Sequence, residues 1–386
     1  MHAFTIFAGA VIIFAVLLDA FETVVLPRRV RRHFRITSWF YRATWPPFAR
    51  LASLIGSQTR RETVLGYFGP LSLIALLGLW AGGLIFGFAV LQQAAGEQFT
   101  AATPAVKLSF PVLLYQSGET FFTLGYGDIT PNSAFSRALS VVESGMGFAF
   151  LGVVIGYLPT IYSAFSRREI EISLLDARAG SPPSAVELLT RAVGSLQQGG
   201  LDRLFADWER WAAEVLESHL SYPVLSFYRS QHSNQSWLGA LTVVLDATAL
   251  VIAGIDEVSS EQARRTFKMA RHAVVDLAQV VNARYDANAP ERLNSSDLAK
   301  IRARLAEKGL RLRSGMEIEG KLIETRALYE PYAQAVARNL FIVLPPWIRE
   351  EPTQDNWRGG PWDRIIQARS LGRTAADRRS AVDDHF

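Results

Sequence analysis

The sequence predicts an all-α membrane protein with three transmembrane helices, a shorter re-entrant segment between the second and the third, and an α-helical cytoplasmic domain. Hydrophobic residues make up 49% of the 386 residues and charged residues 20%. This composition lies between those of soluble and polytopic membrane proteins, which indicates that the apolar residues are concentrated in certain segments. The chain has no cysteine, which excludes disulfides, cysteine metal sites and thiol catalysis.

Residues 1–27 form the predicted N-terminal transmembrane helix. Residues 4–26 are apolar except for Asp19 and Glu22, and their number is close to the roughly 20 residues that cross about 30 Å of hydrocarbon. A secretory signal peptide would begin with a basic region and end in a small-x-small cleavage motif. The segment has neither, which favours a membrane anchor.

Residues 28–61 form the predicted basic connector. The segment contains nine arginines, and no acidic residue occurs between Thr23 and Arg61. The loop between the second and third spans carries only Lys107 as a positive charge. By the positive-inside rule the connector is cytoplasmic. We therefore expect a multi-pass protein of the cell (inner) membrane with its N-terminus outside and its C-terminus in the cytoplasm.

The connector also combines arginines with aromatic residues, a pattern typical of helices that lie in the headgroup layer. We expect it to bind anionic lipid of the inner leaflet, since nucleic-acid binding is improbable beside a membrane span. The arginines expected to face lipid are Arg28, Arg29, Arg31 and Arg32.

Residues 62–165 contain the other two predicted spans, at 64–91 and about 135–165. The second of these would be about 45 Å long at about 1.5 Å per residue, so its end should project beyond the bilayer. Between them, residues 109–131 are too few and too polar for another crossing. We expect a half-helix over 111–121 followed by glycine-rich non-helical backbone, which at membrane depth implies a water-filled path.

The hexapeptide TLGYGD at residues 123–128 matches the potassium-channel signature, and the segment 62–165 resembles the pore domain of that superfamily. The resemblance implies a pore helix and selectivity filter, passive K⁺ conduction, and a homotetramer, because one chain supplies one filter segment. It also implies that K⁺ is the permeant ligand and that no cofactor is bound. The carbonyls implied to bind K⁺ are those of Thr123, Leu124, Gly125 and Tyr126.

There is a direct physical reason for glycine at two positions of the implied filter. Turning successive carbonyls to one side requires positive φ at alternate residues, which Gly125 and Gly127 adopt without a Cβ penalty. The sequence departs from the family pattern at Leu124, where valine is commoner, at Phe122, where a small hydroxylic residue is usual, and at Gln116, which replaces an aromatic residue. Tyr115 keeps one aromatic residue of the cuff around the filter.

Two groups of supporting residues have two interpretations each. Glu119 and Asp128 either share a proton and clamp the filter, or Asp128 faces external water while Glu119 pairs locally. The glycines and the proline of the third span form either a gating hinge or a site of close helix packing. The hinge residues are Gly145, Gly147 and Pro159.

Glu143 is a further ionisable residue within the third span. It marks either a functional position near the cavity or filter, or a buried hydrogen bond to the pore helix.

Residues 166–351 form the predicted helical regulatory domain in the cytoplasm, and 352–386 a flexible tail. Residues 201–216 place apolar side chains at spacings of three and four, as on one face of a helix. Residues 237–255 are interpreted as a buried helix or as a fourth span, with the buried helix favoured by their length. The polar run 217–236 is either a ligand pocket or an ordinary capped loop.

The sequence therefore predicts a potassium-selective channel subunit gated by its cytoplasmic domain, with an unknown stimulus and an unknown cytoplasmic ligand. Two other functions remain open, a non-selective cation channel and a membrane-anchored sensor with a non-conducting pore. No nucleophile elbow, P-loop, HExxH or EF-hand motif is present, so we expect no enzymatic activity.

Overall fold

The computed structural model describes residues 2–26, 35–94, 99–102, 108–232, 234–349 and 362. Two short strands, β1 (Phe99–Ala101) and β2 (Ile129–Pro131), pair antiparallel with Thr100 opposite Thr130. The helices are α1 (His2–Ala20), α2 (Ile36–Ser53), α3 (Gln58–Ala94), α4 (Phe110–Phe121), α5 (Ala134–Ala179), α6 (Ala185–Ala192), α7 (Gly200–Ser221), α8 (Trp237–Gly254), α9 (Ser260–Val280), α10 (Ser295–Ala306), α11 (Met316–Ala327) and α12 (Glu330–Leu340). Short π- and 3₁₀-helical turns occupy Phe21–Val25, Val193–Gln198 and Pro223–Phe227.

The prediction of a mostly helical membrane protein is confirmed. Four segments of the described chain are long and apolar enough to cross a membrane. The finer arrangement, three spans around a pore helix, stays a prediction. The four segments are Ala3–Val25, Gln58–Ala94, Ala134–Ala179 and Trp237–Gly254.

The chain forms two compact units. The first comprises Met1–Leu54 and Tyr67–Ala164, and the second comprises Ile55–Gly66 and Phe165–Phe386. Helices α3 and α5 each contribute residues to both units. The sequence did not predict that residues 55–66 group with the C-terminal unit, because nothing in their composition distinguishes them from their neighbours.

Within the first unit, α1 packs closely on α3 through glycines. A Cβ built on Gly83 would lie 2.9 Å from Cγ2 of Val16, and one on Gly87 would lie 2.7 Å from Cγ1 of Ile13. Small residues at such positions let two apolar helices approach, as is usual between membrane helices. Trp80 lies in the core beside them and is 1% exposed.

Asp19 joins three helices of the first unit. It is fully buried and accepts hydrogen bonds from Trp80 Nε1 at 3.0 Å and from the backbone N of Thr37 at 3.1 Å. The hydroxyl of Thr37 donates to it as well, at 2.6 Å. Because the first backbone N–H groups of a helix have no partner within it, this carboxylate fixes where α2 begins.

The connector is only partly described, and one of its aromatic residues is not at a lipid surface. Trp45 on α2 is 5% exposed, and its ring centroid lies 4.8 Å from that of Phe68. Trp45 therefore packs inside the protein, whereas Trp39 is 60% exposed, and the interfacial position of the helix stays a prediction. Arg28, Arg29, Arg31 and Arg32 lie outside the described residues, so their lipid contact stays a prediction.

Two helices extend beyond the predicted spans. Helix α3 begins at Gln58, ahead of the predicted start at 64, because its first turns are polar and carry no hydropathy signal. Helix α5 continues through Pro159 to Ala179 as one helix of 46 residues, which is about 69 Å at about 1.5 Å per residue. The hydropathy of the third span falls near residue 165, but helical backbone does not end with it.

In the second unit, all 18 residues of α8 are buried, and α8 packs against α6, α9, α11 and α12. A helix that is apolar on every face belongs either in a membrane or in a protein core, and here it lies in the core. The interpretation of 237–255 as a buried helix is therefore correct. The apolar face predicted on α7 is also confirmed, since Leu201, Trp208 and Trp211 are buried.

The predicted flexible tail, 352–386, lies outside the described residues except for Trp362.

Candidate functional site

The half-helix predicted over 111–121 is present as α4. Ser109 precedes it and Pro111 lies in its first turn, where proline's missing N–H removes no hydrogen bond. The bond from Phe122 N to Gly118 O at 3.0 Å is still helical. The helix then ends, because Thr123 has a positive φ and Leu124 N donates five residues back, to Glu119 O at 2.9 Å. The TLGYGD segment therefore starts directly at the C-terminus of α4, where the helix dipole favours a cation.

The backbone of residues 123–127 alternates in the sign of φ. Thr123, Gly125 and Gly127 have φ of +57°, +68° and +75°, whereas Leu124 and Tyr126 are not among the residues with positive φ. Among the residues that the structure describes, none donates a hydrogen bond to the carbonyls of 123–126. The segment thus carries a row of carbonyl oxygens that are free to accept from, or coordinate, another group.

Glu119 holds this segment from behind. The side chain is 5% exposed, and its Oε1 accepts a hydrogen bond from Gly127 N at 3.2 Å. Its Oε2 has no hydrogen-bond partner among the described residues. Glu119 therefore contacts the backbone of this segment, and a proton shared between Glu119 and Asp128 stays a prediction.

Asp128 has other partners. Its side chain hydrogen-bonds to the side chain of Tyr115, and its carbonyl accepts from Ala102 N at 2.7 Å. The second bond continues the pairing of β1 with β2, so the end of the TLGYGD segment is tied to a two-stranded sheet. Tyr115 and Asp128 together support the C-terminal end of this segment, whereas Glu119 supports Gly127.

A buried polar cluster connects α4 to α3 and α5. Glu143 is fully buried; its Oε2 accepts a hydrogen bond from Gln92 Nε2 at 2.9 Å, and its Oε1 accepts from the Ser117 hydroxyl. The same hydroxyl lies 2.8 Å from Ile85 O. Of the two interpretations of Glu143, the structure shows the hydrogen bond to the half-helix. Gln92 and Ser117 were not predicted to take part, although their polarity within apolar surroundings was an available signal.

The three predicted hinge residues differ in their surroundings. A Cβ on Gly147 would overlap the backbone carbonyl of Phe121, whereas one on Gly145 would meet no other atom of the chain within 4 Å. Pro159 lies inside the unbroken helix α5. Gly147 is therefore closely packed, and a hinge at Gly145, Gly147 or Pro159 stays a prediction.

Comparison with known proteins agrees with this arrangement. Residues 75–163, which include α4 and the TLGYGD segment, match the family model described as "Ion channel". The match supports a place in the ion channel superfamily and an ion channel function, and with it the expectation that the protein is not an enzyme.

The chain is also similar to a membrane protein from Bacillus subtilis strain 168, the uncharacterized membrane protein YdjJ. The two are 22% identical over 238 residues, which are 62% of this chain and 69% of YdjJ. No solved structure matches the chain. The similarity and the apolar helices together support a location in a membrane.

Proposed function

We propose that the protein is one subunit of a homotetrameric, potassium-selective channel of the cell membrane, with its N-terminus outside and its C-terminus in the cytoplasm. The observation that carries the proposal is the alternation of φ over 123–127. The carbonyls of Thr123, Leu124, Gly125 and Tyr126 accept from no donor in the described part of the chain. Four such segments around an axis would replace the hydration shell of K⁺. Each chain supplies one, which requires four chains.

Selectivity in this proposal depends on backbone rather than on side chains. Potassium and sodium differ in the geometry of the oxygen shell they accept, and that shell would be held by the bonds from Glu119 and Asp128 described above. The helical second unit would bias an open–closed equilibrium by binding a ligand or partner better in one state. Arg28, Arg29, Arg31 and Arg32 would contact anionic lipid.

The test is ion flux into proteoliposomes that contain the purified full chain, with K⁺ and Na⁺ compared in parallel. Gly125→Ala is the decisive variant, because Gly125 holds a φ of +68°, which alanine adopts only with strain, and within one chain a Cβ there meets no other described atom within 4 Å. Gly194→Ala is the matched control, since that glycine also has open space but no positive φ.

Potassium-selective flux that is lost in Gly125→Ala and retained in Gly194→Ala would support the proposal. Equal flux of Na⁺ and K⁺ would point to a non-selective cation channel instead. Native mass spectrometry of the detergent-solubilised protein should show four subunits, and a monomer or dimer would contradict the proposed pore.

A further inference from the structure

Residues 222–229, here called the clasp segment, link helix α7 to the loop before α8. The segment consists of Tyr222, the 3₁₀ turn Pro223–Phe227, Tyr228 and Arg229. Its central residues are buried, although it is not part of any long helix. It belongs to the polar run 217–236, for which the sequence left open a ligand pocket or a capped loop, and it contacts helices α3 and α5.

One set of contacts holds helix α5. Arg168 is 3% exposed and donates to two carbonyls of the clasp segment, Leu225 O at 3.0 Å and Tyr228 O at 2.9 Å. The rings of Phe165 and Tyr228 pack with centroids 5.7 Å apart. The carbonyl of Arg168 accepts from Trp211 Nε1 at 3.3 Å. Both the side chain and the backbone of Arg168 therefore hold α5 in place.

A second set of contacts holds helix α3. Arg229 pairs with Glu62 at 3.5 Å between Nη1 and Oε2, and both side chains are about 15% exposed. Arg229 also donates through Nη2 to Leu340 O. One turn along α3, a Cβ on Gly66 would lie 3.8 Å from Cβ of Arg229, so the stem of the arginine lies along the helix.

Because of Arg168 and Arg229, separating the clasp segment from α5 and α3 costs free energy. A buried guanidinium that loses its carbonyl or carboxylate partners keeps the desolvation cost without the hydrogen bonds that offset it. Arg168 would lose two acceptors if α5 shifted against the segment, and Arg229 would lose Glu62 if α3 shifted. Both helices continue beyond this unit into the residues that match the ion channel family.

We propose that the clasp segment couples the helical domain to the proposed pore by holding α3 and α5 in one arrangement. A displacement of the segment, produced by whatever the domain binds, releases or repositions both helices together. The effect on the pore rests on the proposed channel function. The contacts of the clasp segment with α3 and α5 belong to the fold and can be measured without ion flux.

The first measurement is open probability of the full chain in planar bilayers. Arg229→Gln and Glu62→Gln each remove the charge pair, and we expect each to change open probability at least fivefold, in line with usual coupling strengths. The K⁺/Na⁺ permeability ratio should stay that of the unaltered chain, because neither residue contacts the filter. Arg265→Gln is the matched control, since Arg265 pairs with Glu261 on the exposed face of α9.

The second measurement needs no conduction. Because the chain has no native cysteine, Thr63→Cys and Ile170→Cys introduce the only two sites for spin labels, one on α3 and one on α5, at exposed positions. Labelled chains are diluted into an excess of unlabelled chains, and the label-to-label distance is measured by pulsed electron spin resonance. We expect Arg229→Gln and Glu62→Gln to broaden the distance distribution, and Arg265→Gln to leave it unchanged.

The two measurements separate the outcomes. Unchanged distances in both clasp variants would overturn the coupling. Broadened distances with unchanged open probability would show that the contacts hold the helices without regulating the pore, which also overturns the proposal. If the unaltered chain conducts no K⁺, the proposed function fails, and the distances alone decide whether the clasp exists. Glu62→Gln keeps every bond of Arg229 to the Leu340 carbonyl, so it serves if Arg229→Gln does not fold.

Discussion

Gly147 on α5 lies so close to α4 that a Cβ atom at residue 147 would overlap the backbone carbonyl of Phe121. The overlap is with backbone, which cannot rotate away as a side chain can. This relationship favours packing over a hinge as the reason for glycine at this position, and it determines how a hinge test must be designed.

We predict that Gly147→Ala destabilises the protein by about 1–3 kcal/mol, the usual range for overpacking. Gly145→Ala should be neutral or stabilising by roughly 0.5–1 kcal/mol, because alanine is the better helix residue where space is open. Thermal unfolding in detergent measures both. Equal stabilities for the two variants would contradict the packing argument, and a change in open probability in Gly145→Ala alone would identify that residue as a hinge.

Glu143 provides a second test in the first unit. Glu143→Leu leaves the Gln92 amide without its acceptor in a buried site, which we expect to cost about 1–3 kcal/mol. Glu143→Gln keeps both contacts, because an amide accepts from Gln92 and donates to the Ser117 hydroxyl, which then donates to Ile85 O. The stability of Glu143→Gln, measured by thermal unfolding, should therefore be close to that of the unaltered chain. If Glu143→Leu were as stable, the cluster would not support α4.

The buried pair at the centre of α8 should be sensitive to loss of one partner. Asp246 is fully buried and accepts from Arg292 Nη2 at 2.8 Å and from the Tyr329 hydroxyl at 2.5 Å. Arg292→Met should weaken α8 by about 3–5 kcal/mol, because it leaves a buried carboxylate without its cation. The measurement is the opening free energy of α8 amides from hydrogen exchange.

Adding Asp246→Leu to Arg292→Met should restore part of that loss, since apolar replacement of a whole buried pair is often nearly neutral. The exposed pair Arg265 and Glu261 is the control, and Arg265→Gln should change stability by less than about 1 kcal/mol. A double variant weaker than Arg292→Met alone would show that packing volume, not charge, dominates at this site.

His219 on α7 should make the second unit sensitive to acid. Burial lowers the pKa of His219 well below its usual range, and the neighbouring Arg168 cation lowers it further. The unfolded chain, with a histidine pKa of about 6.5, therefore binds more protons than the native chain below about pH 7. Stability must then fall as pH falls through that range, by at most about 1.4 kcal/mol per pH unit for one group.

We expect His219→Gln to remove this slope, because glutamine accepts from Arg168 without titrating. His272, whose side chain is 60% exposed, provides the control, and His272→Gln should keep the slope. Hydrogen exchange of α7 amides at several pH values from about 5 to 7.5, which bracket the usual histidine pKa, measures the difference. The same slope in all three chains would mean that His219 is not the responsible group.

Features that depend on near neighbours could be predicted from the sequence. The start of α4 follows from Pro111, and the buried face of α7 follows from the spacing of Leu201, Trp208 and Trp211. The positive φ of Gly125 and Gly127 also agrees with expectation, although the additional positive φ at Thr123 was not foreseen. A proline in a first turn, a helical repeat and a glycine in left-handed backbone each act within a few residues of chain.

The sequence by itself determined the mostly helical membrane character of the chain and the ion channel signature, because apolar runs and a hexapeptide motif are local. Tertiary structure decided that α8 is a core helix, since composition alone does not distinguish a protein core from a bilayer. It also decided that Glu143 binds Gln92, 51 residues away, and that Arg168 binds the Leu225 carbonyl, 57 residues away. Such partners are chosen by the packing of whole helices, and no short stretch of sequence contains both members of the pair.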